Sequence, residues 1–169
     1  MRGSYSGSTG VSKTSSGGSI PSSRANMQGE ICKITTPKRF LLDAVFFGSK
    51  KPKNLFIFLH GLGGNLFGHV DLFEKMVDKD NAVLAFNNRG SGVITRVKQV
   101  CPQEKKGYKS SSIGMAHEVF TDCIDDIEGA VKCAQTFHPK NIFLIGHSTG
   151  CQKSVYYLAK KPRSLVKGV

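Results

Sequence analysis

The chain has no tryptophan, and none of its apolar runs approaches membrane-spanning length, so no transmembrane helix is expected. The N-terminus also lacks the apolar stretch of a secretory signal. The five cysteines, Cys32, Cys101, Cys123, Cys133 and Cys151, never form C-x-x-C. Their odd number and wide spacing argue against a disulfide framework and fit a reducing compartment, the cytoplasm. No metal-ligand spacing occurs among Cys and His, so no metal is expected. Acidic residues are few: 12 Asp and Glu stand against 24 Lys and Arg, for a formal charge of +12. Such a balance raises nucleic acid as a partner. The basic residues, however, are scattered in short pairs such as Lys50-Lys51, Lys105-Lys106 and Lys160-Lys161, with no aromatic stripe between them. A solvated basic surface accounts for them, and no nucleic-acid partner is expected.

At 169 residues the chain is at most one domain, long enough for a real core. Residues 1–26 stand apart in composition, with nine Ser, five Gly and almost nothing to bury. A segment of this kind cannot offset an ordering entropy of about 1–2 kcal/mol per residue. It is expected to be a disordered leader, with Met27 as a plausible native start and residues 27–169 as the folded part.

From Glu30 the pattern is that of strands and helices. "EICKITT" and "RFLLDAVFFG" read as two strands forming an antiparallel hairpin edge. "LFIFLH", "AVLAF" and "NIFLIG" are continuous apolar runs, the mark of strands buried on both faces. Helices are expected from the segment after "HGLGGN" to about Lys79, from about Met115 to Phe137, and from about Thr149 to Lys160. The second is read as one amphipathic helix with Val119, Phe120, Cys123, Ile124, Ile127, Val131, Ala134 and Phe137 on its apolar stripe. Asp122, Asp125 and Asp126 lie mostly off it and are read as structural or solvated. Ser91 to Ile113 is read as a long irregular basic segment, either part of a substrate wall or a variable surface loop. "SLVKGV" looks like the start of one more strand. The alternation predicts an α/β fold: a mostly parallel sheet, helices on both faces, and an antiparallel N-terminal hairpin edge. Such sheets bind ligands beyond the carboxyl ends of their strands, and His60, Asn87 and Ser148 each fall at such an end.

Ser148 lies in Gly-His-Ser-Thr-Gly, between the strand ending at Gly146 and a helix. In that context G-x-S-x-G describes a strained turn that lifts a serine hydroxyl clear of the sheet, with the Thr149 amide at a helix N-terminus. A bland alternative is that Ser148 only caps the helix. "HGLGGN" supplies the kind of loop from which a second oxyanion donor comes. Leu62 N–H is the first choice for that donor and Gly63 N–H the second. His60, Gly61, Gly63 and His147 are expected to line the binding crevice.

Taken in order, strand-"HGLGG"-helix-strand-"NNRG"-loop-helix-strand-"GHSTG"-helix resembles the α/β-hydrolase superfamily from Met27 to Val169. "FNNRG", the Glu118–Ile127 segment and "GHSTGCQ" are similar to fungal siderophore-esterase-like hydrolases and their prokaryotic relatives. The resemblance implies a nucleophile at Ser148, oxyanion amides at Leu62 and Thr149, and a triad acid and histidine further along the chain. After Ser148 there is no Asp, Glu or His. None of the five histidines is expected to be the general base, and the chain is expected to be the N-terminal part of a longer hydrolase domain, incomplete at its C-terminus. The expected activity of the intact protein is hydrolysis of a small-molecule ester, or of another acyl substrate, through an acyl-enzyme without any cofactor. A non-catalytic ligand-binding module on the same sheet and an acyltransferase are the alternatives.

Overall fold

The structure is a computed structural model that describes residues 28–169. The Ser/Gly-rich leader and Met27 lie outside the described residues. Eight strands form one sheet: β1 (Gly29–Thr35), β2 (Phe40–Phe47), β3 (Asn54–Leu59), β4 (Asn81–Phe86), β5 (Thr95–Val100), β6 (Tyr108–Ile113), β7 (Asn141–Gly146) and β8 (Val166–Gly168). Three helices accompany them: α1 (Val70–Met76), α2 (Cys123–Gln135) and α3 (Thr149–Lys160). The sheet order is β6-β5-β2-β4-β3-β7-β8, with β1 paired to β2.

Side chains alternate across the sheet, and the helices follow that alternation. Leu55, Ile57 and Leu59 of β3 join Ala82, Leu84 and Phe86 of β4 on the face covered by α2 and α3, where Ile127, Ala130, Ala134 and Tyr157 are buried. Phe58, Val83 and Ala85 point the other way and meet Phe73 of α1. Strands buried on both faces must be apolar throughout, which is why these runs are continuous in the sequence.

The α/β class, the parallel segment and the N-terminal hairpin are all present. The antiparallel part is larger than expected, however. Residues 91–113 are not an irregular loop: Thr95–Val100 and Tyr108–Ile113 pair antiparallel, from Thr95↔Ile113 to Val100↔Tyr108. This second hairpin joins the sheet where Phe40 and Leu41 of β2 pair with Gln99 and Lys98. β2 therefore has neighbours on both sides: β1 along one, and β5 followed by β4 along the other.

The second helix also starts later than expected. Residues 115–117 and 120–122 form two single 3-10 turns before α2 begins at Cys123. Val119 and Phe120 are exposed at 57% and 39%, so they do not extend the α2 stripe into the core. Phe120 instead lies beside Tyr156 of α3, with ring centroids 5.3 Å apart.

Candidate active site

Register brings the site together. Leu59 pairs with Phe86 on one side and with Gly146 on the other, so β3, β4 and β7 end level. The segments opening with His60, Asn87 and His147 therefore leave the sheet side by side. A crevice of about 190 Å³ between them is lined by His60, Gly61, Leu62, His69, His147 and Ser148, together with Gly64, Asn65 and Gly68.

Ser148 has φ 54° and ψ −125°, a left-handed conformation that costs a non-glycine residue roughly 1–3 kcal/mol. The turn can close this tightly because of two glycines. A Cβ at Gly146 would lie 2.4 Å from Cys151 N, and one at Gly150 would lie 2.2 Å from the Leu59 carbonyl oxygen. Helix α3 thereby packs directly against the ends of β7 and β3, and Ser148 projects outward, exposed. Although Ser148 occupies the N-cap position of α3, its side chain makes no capping hydrogen bond. The Ser148 carbonyl accepts the Cys151 N–H at 3.0 Å, but the hydroxyl takes no part in closing the helix, so the side-chain cap reading has no support.

Gly61 runs close beneath the serine, where a Cβ on it would lie 2.9 Å from Ser148 Cβ. Among the described residues, neither Leu62 N–H nor Thr149 N–H has a hydrogen-bond acceptor. Gly63 N–H, the second-choice donor, is instead taken by the Gly90 carbonyl at 2.9 Å, and Gly63 does not line the crevice. Thr149 Oγ1, by contrast, is buried without a partner.

His60 is 1% exposed. Its Nε2 accepts the Asn88 N–H at 3.2 Å and its Nδ1 lies 2.7 Å from the Gly61 carbonyl, which fixes the neutral Nδ1–H tautomer. Burial lowers its pKa from the ordinary 6.5, against an opposing pull from the Gly61 carbonyl. Both ring nitrogens are thus occupied by backbone. His69 and His147 face one another across the crevice, ring centroids 4.4 Å apart. His69 is thus a crevice residue as well as a helix-end one.

The neutral ring carries a pH consequence. An unfolded imidazole takes up its proton near 6.5, the folded one only at lower pH, so the stability contributed by neutral His60 is complete above about pH 6.5 and is lost as pH falls. Asp126 titrates in the same region with the opposite sign, because burial pushes its carboxyl up to about 6 despite the nearby Arg89. Comparison with His60→Gln, which keeps Asp126, isolates the imidazole. The thermal midpoint of the native chain is expected to fall relative to that of His60→Gln between pH 7 and pH 5. A constant difference would mean that the ring is not held neutral.

Two buried charge clusters support the loops, and sequence reasoning missed the cation in each. Arg89 N–H and Nε both donate to Asp126, at 2.9 and 2.7 Å, and its guanidinium reaches Asp125 Oδ2 at 2.9 Å and the Asp122 carbonyl at 2.7 Å. This ties the segment after β4 to the first turn of α2. Asp125 and Asp126 are therefore structural and buried rather than solvated. The second cluster, Lys153 with Glu118, lies under the same segment; Lys153 is 1% exposed. Its sequence signal was available, since Gly150, Lys153, Ser154 and Tyr157 share the buried face of α3.

The family model described as serine aminopeptidase, S33 matches residues 50–169, a stretch containing every crevice residue. The chain belongs to this family of α/β-hydrolases. A Mycoplasma genitalium protein bearing an esterase/lipase name is 29% identical over 118 residues, which is 69% of this chain and 37% of that protein. Among solved structures, the Pyrococcus furiosus esterase Pf2001 is similar with a TM-score of 0.60 at 20% identity, covering 85% of this chain and 48% of that one. A thermostable carboxyl esterase from Bacillus coagulans gives a TM-score of 0.59 at 16% identity, covering 84% and 43%. The chain thus spans half or less of the length of these relatives. Among the described residues, no helix is long and apolar enough to cross a membrane, and no group of three or more His, Cys, Asp or Glu could hold a metal ion.

Proposed function

We propose that this chain carries the nucleophile and the oxyanion site of a serine hydrolase acting on small-molecule carboxylic esters. The observation that carries the reading is Ser148 at φ 54° with no capping bond, beside two amides, Leu62 and Thr149, that meet no acceptor among the described residues. Serine held this way can attack an acyl carbon. The negative charge that develops on the carbonyl oxygen is then met by donors already in place, with no reorganisation needed. The alcohol leaves, and water releases the acyl-enzyme. The esterase names of the relatives favour an ester, and the family description keeps a peptide amide as a further acyl substrate.

The proton of Ser148 needs an acceptor. Among the described residues no group hydrogen-bonds Ser148 Oγ, and His60 has both nitrogens engaged. A full triad therefore requires a histidine hydrogen-bonded to Ser148 Oγ, a contact that none of the crevice histidines makes here. The same observation favours a second reading, a ligand-binding module that uses the crevice without chemistry.

Treatment with a fluorophosphonate, followed by mass-spectrometric mapping, separates the two. Oxyanion donors and binding alone retain roughly 10³–10⁴ over water, so slow phosphonylation confined to Ser148 and lost in Ser148→Ala is expected. A folded chain that stays unmodified would support the binding module instead.

A further inference from the structure

We propose that Lys153 and Glu118, acting through Asn88, are positioning residues that fix the two oxyanion amides relative to each other; this rests on the reading of Leu62 and Thr149 given above. Lys153 lies on α3, the helix that opens with Thr149. Its ammonium is paired with the Glu118 carboxylate and donates to Asn88 Oδ1 at 3.2 Å. Burying two full charges is expensive, and such a pair is often no more stabilising than apolar side chains of the same volume. Its value here lies in the arrangement it imposes.

An ammonium can only donate, so it decides which end of the Asn88 amide is the oxygen. Gly90 N–H, 2.9 Å from the same oxygen, requires the same orientation. Asn88 Nδ2 is thereby turned to the His60 carbonyl, at 3.3 Å, while Asn88 N–H reaches His60 Nε2. Two residues beyond Asn88, the Gly90 carbonyl accepts Gly63 N–H. Leu62 is thus suspended between two anchored neighbours, the carbonyl of residue 60 and the amide of residue 63. Glu118 also fills the space over Gly90, where a Cβ would lie 2.1 Å from Glu118 Oε1. None of Lys153, Glu118 and Asn88 lines the crevice, so they act through the loop rather than on substrate.

The double variant Lys153→Met with Glu118→Gln tests this, because it leaves no unpaired buried charge. Three readouts are needed: the thermal midpoint, amide hydrogen exchange at Asn88 and Gly63, and the rate of fluorophosphonate labelling at Ser148. The expected result is a midpoint within a few degrees of native, exchange at both amides about tenfold faster, as for the loss of one hydrogen bond, and labelling slowed by a similar factor. Native-like protection at Asn88 and Gly63, or protection lost in equal proportion throughout β3, would overturn the proposal. Should the double variant not fold, Asn88→Ala, which keeps the Lys153–Glu118 pair and removes the side chain through which it acts, is expected to speed the amides of residues 88 and 63 several-fold; no change there would also overturn it. Exchange does not depend on serine chemistry. Faster exchange in a protein whose native form never labels would therefore count against Ser148 as nucleophile and leave the positioning role standing.

Discussion

Mixed with a short-chain aryl ester, the 169-residue chain is expected to turn over about 10⁶-fold more slowly than an esterase with a complete triad. Two features set this magnitude. Ser148 is held at φ 54° and exposed at the strand–helix turn, yet among the described residues nothing hydrogen-bonds its hydroxyl. Of the histidines nearby, His60 is held by Gly61 and Asn88. His69 and His147 share the crevice, their ring centroids 4.4 Å apart, and neither hydrogen-bonds Ser148 Oγ. The proposed oxyanion amides remain, and with binding they are expected to supply a residual of roughly 10³–10⁴ over uncatalysed hydrolysis. Turnover close to that of an intact esterase, abolished by Ser148→Ala, would contradict this and identify one of the crevice histidines as a working base.

The second large effect concerns stability. Gly150→Ala is expected to lower stability by about 3 kcal/mol, the upper range for overpacking, or about 10 °C in thermal midpoint for a domain of this size. The added methyl would sit 2.2 Å from the Leu59 carbonyl oxygen and 2.9 Å from its carbon. Both are backbone atoms at the end of a central strand, so no rotamer change relieves the clash. Helix α3 must lift away, carrying Ser148 and the Thr149 amide with it. Gly68→Ala is the control, since its methyl would meet only the Asn65 carbonyl oxygen at 3.4 Å, and its midpoint should shift little. Equal midpoints for the two variants would mean that α3 does not rest on β3 as described.

These contacts explain why the turn at residue 148 was legible in the sequence. Steric requirements at Gly146 and Gly150 leave glycine at both places, and a strand buried on both faces leaves an uninterrupted apolar run before them. The elements at the sheet's centre were readable for the same reason. The hairpin at 95–113 was not. Its strands, "TRVKQV" and "YKSSSI", are partly or fully exposed along most of their length, so no apolar alternation marks them. Cross-strand pairing and contacts such as Lys98 Nζ over the Tyr108 ring, 4.4 Å from its centroid, define them instead. Likewise, Val119 and Phe120 fit a helical stripe by spacing alone, but the chain there forms 3-10 turns. Gly114, at φ 113°, begins that irregular stretch.

Partnerships between distant residues were the least legible part of the site. Asp122, Asp125 and Asp126 look like a solvated helix face until Arg89, more than thirty residues earlier, is brought against them. In the same way, the sequence ranks Leu62 ahead of Gly63 as the free amide, but the reason Gly63 is not free lies outside its own loop. It is a single hydrogen bond, Gly63 N–H to the Gly90 carbonyl, between loops that follow different strands.

The Ser148 hydroxyl and the amides of Leu62 and Thr149 are proposed to converge on one acyl group. The most direct test is titration with an arylboronic acid at about pH 8, followed by ¹⁵N–¹H NMR. Boron needs only the serine oxygen and oxyanion donors, so the result does not depend on a general base. The resonances of Leu62 and Thr149 are expected to shift together as the tetrahedral adduct forms, and to stay in place in Ser148→Ala. A folded chain in which those two amides do not respond, or respond equally without the Ser148 hydroxyl, would contradict the account.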